Sequence, residues 1–140
     1  FTTEPISREA FTNRCNVTEI LPLSATNIHY ARSSVGFGGA FLYRFDAPVP
    51  DCLAFADQLI QLNNATAQDE SRKVPTNLVS LAKVPDPIDR EFLRAYGLTD
   101  LRWFDVENIQ LGVEGRGPPQ GHGLFWIDTE RGRFYYYWTD

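Results

Sequence analysis

The sequence predicts a single α+β domain over residues 1–140: an antiparallel sheet of about five strands with two to three helices packed mainly on one face. Three observations carry that prediction. Two alternating runs, 27–33 and 40–46, are joined by the glycine-rich Gly36-Phe37-Gly38-Gly39. An apolar stripe of helical period follows them, and the chain ends in two aromatic runs of strand character. Strands grouped by hairpins, with helices between the groups, give the order α-ββ-α-α-βββ.

In chain order, Ile6 to Arg14 reads as a short helix, with Ser7 as its cap and Ala10 and Phe11 as candidate buried positions. Pro22 stops helical structure ahead of the first strand. In Asn27 to Ser33, Ile28, Tyr30 and Arg32 share one face, and His29 and Ala31 the other. In Ala40 to Asp46, Phe41, Tyr43 and Phe45 point together. The clearest helix comes next. Pro48 and Pro50 suit a first turn, and Asp51 complements the positive end of the helix dipole. Leu53, Ala56, Leu59 and Ile60 recur at helical spacing, Phe55 and Leu62 widen the stripe, and Asn63-Asn64 is the expected stop.

Residues 64–85 are polar and poorly periodic, the longest expected loop, with 77–83 a short strand or helical turn. A further helix is marked by Asp86 as cap and Pro87 at its first position. Its stripe is Ile88, Phe92 and Tyr96, and Gly97 is its stop. Strands are then expected over 108–114, 124–128 and 133–138, with a loop at 115–123 and a tight turn at 129–132.

Composition bounds the function. Eighteen acidic residues against 13 basic ones give a net charge of −5. A nucleic-acid backbone is bound mainly by cations that neutralise it, so nucleic acid is an improbable partner. No apolar run approaches the roughly 18 residues that span a bilayer, so the chain is not expected to be transmembrane. The chain opens at Phe1 and has no Met, which suits a processed product such as an exported protein stripped of its signal. Cys15 and Cys52 point the same way. An even count suits a disulfide closing a 38-residue loop, and such a loop contributes roughly 4 kcal/mol in the chain-entropy account. The alternative is two buried thiols behaving as small hydrophobes. The location these features suggest is extracytoplasmic. Asn16 and Asn64 also begin glycosylation-type triplets.

The candidate chemistry sits in two places. In the last strand Phe134, Tyr136 and Trp138 point one way, and Tyr135 and Tyr137 the other. A half-buried strand has one polar face; this one has none. Either the strand is covered on both sides, or Tyr135 and Tyr137 form an open platform for a protein or glycan. The second place is the loop from Gly115 to Gly123, where Arg116 offers a cation and His122 a titratable ring. Its bland reading is a solvated hairpin loop. Either feature suits a non-enzymatic binding or protein-interaction module. The runner-up is a small hydrolase or lyase using His122 or His29 with a nearby carboxylate. No Gly-x-Ser-x-Gly elbow, phosphate cradle or dinucleotide fingerprint occurs. No cofactor is expected, and two distant histidines make a metal centre improbable.

Overall fold

The computed structural model describes residues 5–14, 21–35, 38–95 and 97–139. Its elements are α1 (Arg8–Arg14), β1 (Thr26–Val35), β2 (Gly38–Asp46), α2 (Val49–Thr66), β3 (Val79–Leu81), α3 (Arg90–Ala95), β4 (Gly112–Gly117), β5 (Gly123–Asp128) and β6 (Arg133–Thr139), with 3-10 turns at Glu70–Arg72 and Val106–Asn108. The strands form one antiparallel sheet in the order β1-β2-β6-β5-β4-β3. This is the expected α+β architecture with one strand more, because the ambiguous stretch 77–83 supplies β3 at the edge.

The two hairpins meet through β2 and β6, which places the most aromatic strands at the centre. Phe41 pairs with Trp138, Tyr43 with Tyr136 and Phe45 with Phe134. Strands that are apolar on both faces must be covered on both, and they are. On one face α1 and α2 bury Phe11, Phe55, Leu59 and Ile60 against Phe41, Tyr43, Phe45, Phe125, Phe134 and Tyr136. On the other face lies the segment 84–109, which carries α3. It buries Leu93, Leu98, Trp103, Phe104 and Ile109 against Leu42, Trp126, Tyr135 and Tyr137.

The element boundaries depart from the sequence reading where side chains bond over long range. α2 runs through Asn63-Asn64 to Thr66, because those amides bond to distant backbone rather than to their own turn. α3 begins later than expected. Asp89, not Asp86, supplies the cap, its carboxylate accepting from Phe92 N at 3.0 Å. Phe92 is consequently exposed and Leu93 faces the core; Tyr96 lies outside the described residues, as do Gly36 and Phe37. β4 includes Gly115, Arg116 and Gly117, so the expected long loop shrinks to 118–122. The turn into β6 is tight as expected. Asp128 Oδ1 accepts from Glu130 N and Arg131 N, both at 3.0 Å, and Gly132 takes φ +73°. No helix among the described residues is long and apolar enough to cross a membrane.

Candidate functional site

Three amides near the end of α2 and in the 118–122 turn build a concave surface there. Asn63 is fully buried. Its Nδ2 donates to Arg72 O at 3.0 Å, and its Oδ1 accepts from Gly121 N at 2.7 Å. Asn64 clamps Val74 twice, donating to its O at 3.1 Å and accepting from its N at 2.9 Å. Gln120 does the same in the other direction, donating to Thr66 O at 3.2 Å and accepting from Gln68 N at 3.1 Å. Gly121 has φ +79°, and a Cβ there would lie 3.0 Å from Arg72 O. Only glycine fits that close approach without strain. Two segments remote in sequence are thereby held side by side on the helix.

Between them is an open groove of about 280 Å³ lined by Arg72, Lys73, Arg116 and His122, with Ser71 and Gln120. Two carboxylates border it: Glu70 sits 2.8 Å from Lys73 Nζ at the surface, and Asp69 accepts from Ser71 N at 3.0 Å and feels the Arg72 charge. Exposed pairs of this kind contribute little. Arg72 and Arg116 enter no ion pair among the described residues. In a chain of net charge −5, this is a local concentration of cations with donors facing solvent. It can hold an anionic group through charge-assisted, bidentate hydrogen bonds.

Two of the four expected binding residues, Arg116 and His122, therefore meet here, joined by Arg72 and Lys73. The other two do not. Tyr135 is fully buried and Tyr137 is 8% exposed, both beneath Phe104. The open aromatic platform is thus corrected to a covered face, because residues 98–109 lie across it.

The polar end of that face is the second notable arrangement. Register places His29, Arg44, Tyr135 and Trp126 in one row across the sheet. Arg44 Nη1 donates to Trp103 O at 2.8 Å and lies 3.5 Å from Asp105 Oδ1. The Tyr135 hydroxyl donates to the same carboxylate at 2.7 Å. Burial alone would raise the Asp105 carboxyl, but the Tyr135 hydrogen bond and the Arg44 guanidinium hold it below its ordinary value. Burial, then the Asp105 carboxylate, pushes the Tyr135 phenol up. Arg133 bonds Asp46 at 2.8 Å beside an open cleft of about 380 Å³. The cations Arg44, Arg131 and Arg133 are matched by Asp46, Asp105 and Asp128, and Glu130 also lines the cleft, which leaves no surplus positive charge for an anion.

Neither histidine is hydrogen-bonded to a carboxylate among the described residues. His122 is exposed. His29 is buried, with Nε2 at 3.2 Å from Asn27 Oδ1 and its ring stacked on Trp103. Burial first, then Arg44, lowers its basicity. The carboxylate-oriented ring that a general base needs is not formed. Among the described residues Cys52 is a free, fully buried thiol 3.5 Å from Ala47 O; Cys15, the other half of the expected disulfide, lies outside the described residues, as does Asn16. Burial, then Asp51, pushes the Cys52 thiol up to about 12. The Asn64 amide that a glycan would occupy is engaged by Val74. The sequence showed Arg72-Lys73 as its one adjacent basic pair, but nothing local joined that pair to His122; the signal is the long-range reach of Asn63. No family model matches this chain, and no curated protein or solved structure matches it significantly.

Proposed function

We propose that this domain is a non-enzymatic binding module whose contact surface is the basic groove between residues 71–74 and 116–122. Its target is an anionic group, phosphate, sulfate or carboxylate, carried by a protein or glycan partner. A location outside the cytoplasm belongs to the same proposal and is checked by fractionating the source cells. The observation that carries the reading is the convergence of Arg72, Lys73, Arg116 and His122 around one groove held open by a buried asparagine. Three cations against the two bordering carboxylates of Asp69 and Glu70 leave a net positive charge for an anionic group.

The test is amide-detected NMR with inorganic phosphate, sulfate and glucuronate as probes, titrated at low and high salt. Shifts confined to 70–74 and 115–123, weakened by salt and abolished in Arg72→Gln/Arg116→Gln, are the expected result. Shifts that are absent, or unchanged in the double variant, overturn the assignment.

A further inference from the structure

The segment that covers the second aromatic face is attached to the sheet by side chains. The backbone hydrogen bonds described for 97–109 all stay local: Gly97 N to Arg94 O, Leu98 N to Leu93 O, Phe104 N to Leu101 O, Asn108 N to Asp105 O and Ile109 N to Val106 O. None of these reaches a strand. The segment ends where Leu111 O is held by Thr129 N and Oγ1 at 3.1 and 2.9 Å. Between those limits, polar and ring contacts, including Arg44 and Arg133 at 3.5 and 3.8 Å from Asp105, join it to the sheet alongside the apolar packing of Leu98, Leu101, Trp103, Phe104, Val106 and Ile109. Arg44 holds Trp103 O, Tyr135 holds Asp105, and the His29 ring stacks on Trp103 with centroids 5.3 Å apart and planes 16° from parallel.

The protonation state of His29 is fixed by its neighbours. Asn27 Nδ2 donates to the Asp46 carboxylate at 3.0 Å, so Asn27 Oδ1 faces the ring and accepts from Nε2. Nδ1 is buried and has no hydrogen-bond partner among the described residues. In the neutral ring this is a bare lone pair. In the imidazolium it would be a buried N–H without an acceptor, which is costly. The charges facing the ring are Arg44 and Asp46 from β2, Arg133 from β6 and Asp105 from the covering segment. Asp46 is already engaged by Arg133 at 2.8 Å, and Asp105 by Arg44 and Arg133 at 3.5 and 3.8 Å. Trp103 covers one face of the His29 ring.

We propose that residues 98–109 form an acid-releasable strap: protonation of His29 lifts Trp103 and Phe104 from the sheet and uncovers Tyr135 and Tyr137. The docked strap favours the neutral ring, so the open form binds the proton more tightly. Release therefore begins as pH falls through the ordinary histidine value of 6.5. This device is independent of the basic groove, which lies on other elements.

Hydrogen exchange, corrected for intrinsic rates, tests it alongside NMR observation of the His29 ring. Protection of 98–109 is expected to fall at least about tenfold between about pH 7 and pH 5, with α2 and β2 unchanged. His29→Phe keeps an aromatic ring on Trp103 and cannot protonate, so its strap should stay closed. Equal loss of protection in His29→Phe overturns the proposal. So does a wild-type His29 ring that protonates while protection of 98–109 stays level or rises, a readout that needs no variant to fold.

Discussion

Asn63 shows how much one side chain can decide. It occupies a helix interior, where asparagine is a mediocre choice, yet it is fully buried and bonds two segments at once. Asn63→Ala leaves Gly121 N–H and Arg72 C=O without partners, and a loss of about 3 kcal/mol is expected from two such bonds. Urea denaturation reads that loss, and the anion response of the groove should weaken with it. Gly121→Ala should weaken the groove as well, since a side chain there meets Arg72 O in a strained conformation. From the sequence, Asn63-Asn64 looked like a helix stop, which is what asparagines usually signal. Their partners lie 9, 10 and 58 residues away, and no local pattern encodes that. Cys52 makes a simpler case. A buried thiol raised to about 12 is not a nucleophile at neutral pH. It should resist alkylation in the folded protein and react in urea without added reductant; failure to react in urea would contradict the free thiol.

At the scale of elements, alternation was legible and cover was not. The faces of β1 and β2 came out as the sequence implied, with Ile28 and Phe41 on one side and His29 and Ala31 on the other. The stripe of α2 likewise faces the core through Phe55, Ala56, Leu59 and Ile60, except that Leu53 is exposed and Cys52 is buried in its place. What hid Tyr135 and Tyr137 is a stretch with little regular structure. Residues 98–109 have no helical or strand period, so their apolar side chains gave no direction from which to infer that they cross the sheet. The same limit applies to β3, three residues long, and to the start of β4. The polar row across the sheet yields a contrast between two arginines. Arg44→Met strips Trp103 O of its donor and leaves Asp105 less compensated, for an expected loss of about 3 kcal/mol. Arg116→Gln, on an exposed strand position without an ion pair among the described residues, should change stability by no more than about 0.5 kcal/mol while reducing anion binding. Parallel denaturation and titration of the two variants separate a residue that holds the fold from one that meets a ligand.

For the whole molecule, the buried ionisable groups set the pH range in which the fold is most stable. His29 is lowered from 6.5 in the folded state, so its contribution is complete above that value and is lost as pH falls below it. Asp105 is lowered from 3.8; its contribution persists through mild acid and is lost only as pH falls through that range. Cys52 acts at the other edge. Its folded value lies above the ordinary 9.0, so the unfolded chain releases the thiol proton first and stability declines as pH rises past 9.0. Tyr135, raised from 10.0, adds to the same alkaline loss. The expected profile of urea midpoint against pH is a plateau between 6.5 and 9.0, with a first acid decline from His29 and a steeper one where Asp105 titrates. His29→Phe should carry the plateau down toward the Asp105 step, and Cys52→Ala should delay the alkaline fall. Because these groups lie on β1, α2, β6 and the covering segment, a profile that keeps its acid shoulder in His29→Phe would show that His29 is not its source.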